Sequence, residues 1–211
     1  MKKFIGYYRD CDLLTMSGTF MAMLGCIMAI RGSVFIPIFC LIISGICDAF
    51  DGTLARRKNY KNEMVVYGSQ LDSLSDMVSF GLFPLVLTVC HLPNNAYFSY
   101  IAIIFYAICG MIRLAYFNTL DICNTGEKGY FVGVPITFIS ILYPVVYVIC
   151  ALLKFKYFNI ISSIFFVLVG LSFIYNIKIK KLDDKYKGVI SVIGILFIIG
   201  MILLKIFIKK L

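Results

Sequence analysis

Charge is scarce in this sequence, and histidine and tryptophan are scarcer still. Asp, Glu, Lys and Arg together make up 15% of the 211 residues, His91 is the one histidine, and tryptophan is absent. So small a charged fraction excludes an ordinary soluble domain, which is about 45–50% apolar and about 25% charged. Here 61% of residues are hydrophobic and the mean hydropathy is +0.94. With one histidine and no Cys-x-x-C, the chain has no ligand spacing for a zinc or redox centre. Cys26, Cys40, Cys90, Cys109 and Cys150 lie inside apolar runs, where a thiol behaves as a small hydrophobe. Without tryptophan, anchoring at the membrane interface falls to the tyrosines and phenylalanines near span ends. Internal repeats and disordered linkers are missing too. No small-x-small cleavage site follows Lys2 and Lys3, so the first apolar run reads as a retained helix rather than a leader.

What is present is a series of apolar runs long enough to cross a bilayer. Residues 1–12 mix bases, tyrosines and apolar residues as a short interfacial segment does. Spans are expected at roughly 13–30, 33–51, 68–90, 96–117, 131–153, 157–177 and 188–208, since about 18 residues at 1.5 Å each cover the hydrocarbon core. Pro84 falls inside the third, where a neighbouring helix has to satisfy the carbonyl it frees. The fold class is therefore an all-α integral membrane protein, a single polytopic bundle of about seven helices (a range of about six to eight). Residues 13–153 form its core and 154–211 its C-terminal spans.

The formal charge of +9 does not point to nucleic acid, because the basic residues sit in short segments between spans. With the N-terminus in the cytoplasm, the inside segments hold roughly twice as many Lys and Arg as the outside ones, which is the expected bias. Lys205, Lys209 and Lys210 would then lie outside, unless the last run is re-entrant or split. This orientation places the chain in the cytoplasmic membrane as a multi-pass protein, with the ends of spans two and three facing the cytoplasm.

Those ends carry the polar residues that the apolar background makes conspicuous. Asp48 and Asp51 are spaced i, i+3, and Asp72 and Asp76 are spaced i, i+4, so each pair shares one helix face. A single aspartate at a helix end is ordinarily a cap. Carboxylates at membrane depth cost about 2.5–3.5 kcal/mol each on insertion scales, so four at matched spacing mark a site. Two antiparallel helices joined by a short loop bring the faces together, and the mutual repulsion calls for cations. Oxygen-only ligation selects a hard divalent ion, Mg²⁺ or Mn²⁺, one or two of them. Gly52 lets a ligand approach the backbone, Gly68 is expected to open the third helix, and Arg56 lies one turn beyond Gly52, placed to pair with phosphate oxygens. Together they describe a site for a diphosphate near the membrane surface.

The pattern D48-x-x-D51-G52-x-x-A55-R56 followed by G68-x-x-x-D72-x-x-x-D76 resembles the signature of the CDP-alcohol phosphotransferase family, membrane enzymes that displace CMP from a CDP-linked lipid or alcohol. Every fixed position is present. Eleven residues separate Arg56 from Gly68, longer than the family's usual gap by about one helical turn. Outside the signature, D72-S-L-S-D76-M-V-S-F-G81 with Pro84, R113-L-A-Y-F-N118 and G133-V-P-I-T137 resemble the branch that joins CDP-diacylglycerol to L-serine.

The resemblance implies that Asp48, Asp51 and Asp72 hold the ion against the diphosphate. It makes Asp76 the general base toward the serine hydroxyl and a contact of a second ion. Asp51, Gly52, Ala55, Arg56, Gly68 and Asp72 would contact the CDP moiety. It also implies a homodimer surrounded by membrane lipids, with no nucleic acid partner.

Arg113, near the cytoplasmic end of the fourth span, needs an anionic partner. The serine carboxylate or a lipid phosphate would serve, with Asn118 nearby; an ion pair with a signature aspartate or a snorkel to the interface would also satisfy it. His91 falls in a turn away from the site. Lys58 and Lys61 suit either the nucleotide or the topology alone. Rival readings are a sister transferase using glycerol 3-phosphate or an inositol phosphate, a prenyltransferase, and a cation transporter. The first wants a denser basic pocket, the second adjacent aspartates, and the third leaves the glycines and arginine without a role.

Overall fold

A computed structural model of the chain describes residues 5–33, 35–56, 58, 60–93, 95–123, 130–152 and 157–180. The spans in this range are helical: α1 (Asp10–Ile30), α2 (Ile36–Ala55), α3 (Asn62–Asp76), a π-helical segment (Met77–Leu82) running into α4 (Phe83–Val89), α5 (Tyr97–Ile122), α6 (Ile139–Leu152) and α7 (Phe158–Ile174). Four stretches are long and apolar enough to cross a membrane, namely Asp10–Ile30, Ile36–Ala55, Asn62–Val89 and Tyr97–Leu120, and two shorter apolar helices join them. The chain is a polytopic helical membrane protein. The expected run at 188–208, with Lys181, Lys185 and Lys187 before it, lies outside the described residues.

Helix α1 shows how such a bundle is built without a strong hydrophobic drive between helices. Its buried positions are Cys11, Asp12, Thr15, Gly18, Ala22, Gly25 and Ala29, a seam of mostly small residues at three- and four-residue steps. Small residues let helix backbones approach closely in lipid. A methyl group at Gly18 would press on Cys47 and Ser44 of α2. The opposite face of α1 exposes Leu13, Phe20, Met23 and Ile27, a surface suited to acyl chains.

The third span differs from expectation at its start. Its helix begins at Asn62 and continues to Val89, so Gly68 lies within α3 rather than opening it. The polar opening turns of α3 are supported by contact, because the Tyr7 hydroxyl donates to Glu63 Oε2 at 2.9 Å and Tyr7 packs edge-on to Tyr67. Residues 10–12, inside the stretch expected to be interfacial, belong to α1. Pro84 has no N–H for the carbonyl of Phe80 four residues back; the fully buried Tyr106 hydroxyl of α5 donates to that oxygen instead. Tyr106, Tyr143, Phe166 and Phe173 then form an aromatic core among α5, α6 and α7.

The fifth span is the largest departure. Residues 130–132 form β1 (Tyr130–Val132), paired antiparallel with β2 (Lys178–Lys180) in the register Tyr130↔Lys180 and Val132↔Lys178. Gly133 follows at φ +72°, and a methyl group there would overlap the carbonyl of Phe173, so only glycine fits. After a short 3₁₀ turn (Ile136–Phe138), α6 supplies 14 helical residues. The fourth span also runs longer than expected, to Ile122.

Candidate active site

The N-terminal turns of α1, the C-terminal turns of α2 and the C-terminal turns of α3 come together. The carboxylates gather there. Asp48, Asp72 and Asp76 each offer an oxygen within 4.8 Å of the others. Asp48 and Asp76 are close enough to share a hydrogen bond. Asp76 is buried at 8% exposure, at the point where α3 passes into the π-helical segment. The last turns of α2 also carry the negative end of a helix dipole, which repels carboxylates. Three acidic groups at such a place are stable together only with protons or cations among them. Their oxygen-only donor set fits a hard divalent ion.

Asp51 is the fourth signature aspartate, and it is not one of the three whose oxygens converge. Its Oδ2 accepts a hydrogen bond from the Thr15 hydroxyl of α1 at 2.6 Å, and the side chain is 5% exposed. Asp51 nevertheless borders the same small cavity of about 10 Å³ as Asp48 and Asp76, with Thr15, Ser44 and Ser79 among the other residues of its wall. That volume admits about one water-sized group. The hydroxyls of Thr19 and Ser75 bond to each other beside it.

The other expected residues are distributed as follows. Around Gly52 there is open space, the nearest atom to an added methyl being Arg56 Nη1 at 4.0 Å. Ala55 ends α2, and Arg56 caps it, exposed, with Nη2 3.4 Å from the Thr53 hydroxyl. Gly68 is buried beneath the guanidinium of Arg9; a methyl group at Gly68 would overlap it. Arg113 is 8% exposed and does not snorkel out; the charges of Asp76 and Asp48 act on it, while its Nε has no hydrogen-bond partner among the described residues. Asn118 Oδ1 accepts from Ser73 at 2.9 Å and Ser69 at 3.4 Å, so it ties α5 to α3 beside the cluster. His91 is used elsewhere: Nδ1 lies 2.8 Å from the Leu87 carbonyl, and the Tyr147 hydroxyl is 2.8 Å from Nε2.

Several polar residues at the site carry no signature. Thr15 orients Asp51 from another helix. Arg9 and Asp12 form a buried pair beside Gly68. Ser79 Oγ, like Arg113 Nε, is a buried polar atom without a hydrogen-bond partner among the described residues. In an ordinary α-helix a buried serine commonly bonds the carbonyl four residues back. The wider π-turn leaves Ser79 facing the carboxylate cavity instead. π-bulges concentrate at functional sites for this reason. In the sequence only its position three residues after Asp76 sets it apart from other serines in apolar runs.

A family model described as CDP-alcohol phosphatidyltransferase matches residues 11–210. The chain belongs to that family. Similar curated proteins include a CDP-diacylglycerol–serine O-phosphatidyltransferase of Methanocaldococcus jannaschii, 32% identical over 145 residues, covering 69% of this chain and 64% of the relative. An archaetidylserine synthase of Methanothermobacter thermautotrophicus is 29% identical over 140 residues, covering 66% of this chain and 58% of the relative. A CDP-diacylglycerol–serine O-phosphatidyltransferase of Saccharomyces cerevisiae is 36% identical over 101 residues, covering 45% and 35%. The chain thus spans less than two thirds of the length of each of these relatives. In this CDP-alcohol phosphatidyltransferase family member, the matched region contains all four aspartates.

Proposed function

We propose that this protein transfers the phosphatidyl group of CDP-diacylglycerol to the hydroxyl of L-serine, forming phosphatidylserine and releasing CMP. The observation that carries the reading is the convergence of Asp48, Asp72 and Asp76 oxygens within 4.8 Å at one end of the bundle. The names of similar proteins, a CDP-diacylglycerol–serine O-phosphatidyltransferase and an archaetidylserine synthase, support serine as the acceptor. Asp48, Asp72 and Asp76 would hold one Mg²⁺ or Mn²⁺, with Asp51 across the cavity available to a second. Bound there, the ion supplies neutralisation of diphosphate charge and stabilisation of departing CMP.

The chain's own residues account for the rest. Asp76 is the base: it takes the proton of the serine hydroxyl as that oxygen bonds to the lipid-proximal phosphorus. The bond from this phosphorus to the bridging oxygen breaks, and CMP leaves with the bridging oxygen and its electron pair. No Ser, His or Cys in the signature supplies a nucleophile, so the displacement is direct and in line. Gly52 and Arg56 border the space for the diphosphate. Arg113, buried with an unsatisfied Nε beside Asp76, takes the serine carboxylate. Asn118 holds α3 and α5 at the spacing this contact requires.

The same reading places the site on the cytoplasmic side of the cell membrane, in a homodimer. The test is purified protein incubated with CDP-diacylglycerol, a divalent ion and one alcohol at a time. Phosphatidylserine formed from L-serine, with stoichiometric CMP, supports the assignment. Turnover with glycerol 3-phosphate or an inositol phosphate, and none with serine, reassigns the acceptor.

A further inference from the structure

The signature glycine at 68 is expected to make room for ligand, yet one side chain of this chain already lies across it. Arg9, just before α1, is 9% exposed and rests its guanidinium on the bare face of Gly68. Two interactions hold it. Nε and Nη2 donate to Asp12 Oδ1 at 2.9 and 2.6 Å, and the Tyr60 ring lies 5.3 Å from the guanidinium carbon. Asp12 is itself 2% exposed and also caps α1, its Oδ2 accepting from the Arg9 backbone N–H at 3.0 Å. The guanidinium is thus clamped along one edge by a carboxylate that cannot be solvated elsewhere.

Its other edge is unspent. Nη1 makes no hydrogen bond among the described residues, and Nη2 keeps a second N–H beyond the one given to Asp12. The free edge is a two-donor fork. Asp12 offsets part of its charge, and the guanidinium still acts on Asp72 one turn deeper along α3, so Arg9 adds directed donors as well as charge to the site.

Depth along α3 decides what the fork meets. Gly68 lies about 6 Å outward from Asp72 and about 12 Å from Asp76 along the helix axis. If the reacting phosphorus lies at Asp76 and the diphosphate at the carboxylate trio, the level of Gly68 is that of the nucleoside. Cytosine presents two adjacent acceptors, O2 and N3, which match an arginine fork as other base edges do. Uracil replaces N3 with an N–H that meets the fork donor to donor.

We propose that Arg9, clamped by Asp12 over Gly68, is the residue that reads the cytosine base of the nucleotide. This rests on the functional reading above and assigns the nucleotide specificity of the same site. A good two-point base contact yields about 10- to 100-fold discrimination.

The experiment measures binding of CDP, UDP and inorganic pyrophosphate to the purified full chain at fixed Mn²⁺. Wild type should bind CDP at least tenfold more tightly than UDP. Arg9→Lys, which keeps the charge opposite Asp12 but has no fork, should reduce that ratio below about threefold. The double variant Arg9→Met with Asp12→Asn, which leaves no buried charge unpaired, should do the same. Pyrophosphate affinity should be unchanged in both. A wild-type arm needs no variant to fold: CDP methylated at N3 should bind at least tenfold more weakly than CDP. The assignment is overturned by an unchanged CDP/UDP ratio in a folded variant, by equal binding of CDP and UDP to wild type, or by full affinity for the N3-methylated nucleotide. If wild type binds no CDP at all, the functional reading fails with it; if it binds CDP and only these contrasts are absent, Arg9 alone is reassigned.

Discussion

Replacing Asp76 with asparagine should make the ligand-free protein more stable and nearly inactive. The two effects have one origin. Asp76 is buried and lies with Asp48 and Asp72 inside a 4.8 Å triangle of oxygens. At that separation and an effective dielectric of about 20, each ionised pair costs about 3 kcal/mol. Proton sharing between Asp48 and Asp76 relieves part of it. Removing one charge with an isosteric amide should therefore raise ligand-free stability by about 2 kcal/mol, or about 4–8 °C in melting temperature for a chain of this size. The amide cannot accept the serine proton, and loss of a general base costs about 10²- to 10⁴-fold. A thousandfold fall in kcat, about 4 kcal/mol of barrier, is the expected midpoint. The assay pairs thermal unfolding in chelator with CMP release under saturating substrates. A variant that loses stability, or that keeps more than a tenth of wild-type kcat, refutes the reasoning.

Other perturbations separate roles within the site and the bundle. Arg113→Lys should raise the KM for serine about tenfold and leave the KM for CDP-diacylglycerol within twofold, because only the fork to a carboxylate is lost; steady-state kinetics with each substrate varied decide it. Tyr106→Phe leaves the Phe80 carbonyl without its donor and should cost about 1–3 kcal/mol, measured by denaturation, while activity per folded molecule stays within twofold. Thr15→Val removes the hydroxyl that bonds Asp51 and should lower ligand-free stability by about 1.5–3 kcal/mol, since hydrogen bonds to charged groups are worth that much.

The site was legible in the sequence where chemistry forces residue type and spacing together. Carboxylates in an apolar chain are costly, so Asp48, Asp51, Asp72 and Asp76 announced a common volume; the helices converge three of them, and Asp51 borders the same cavity. Pro84 likewise implied an outside donor for a freed carbonyl, which is Tyr106. Contacts between distant segments were not legible. Nothing at position 9 tells that its side chain will cross to Gly68, or at position 15 that a threonine will hold Asp51. Ser79 looks like any serine in an apolar run until the π-turn directs it inward. The start of α3 was missed because its first turns are polar, and polar turns read as loop until Tyr7 is found packed on Tyr67 and bonded to Glu63. The fifth span was read as helix throughout because hydropathy does not register that Gly133, at positive φ, abuts the end of α7.

The central claim is that aspartates from α2 and α3 converge on one cation that in turn grips a pyrophosphate. It is tested most directly by titrating purified protein with Mn²⁺, followed by electron paramagnetic resonance, with and without CDP. Linkage requires that CDP tighten Mn²⁺ binding by the same factor as Mn²⁺ tightens CDP. The expected result is a factor of ten or more in wild type and no specific Mn²⁺ site in a variant with Asp48, Asp72 and Asp76 all changed to asparagine. Mn²⁺ bound equally by the triple variant, or bound by wild type with no response to CDP, would contradict the account.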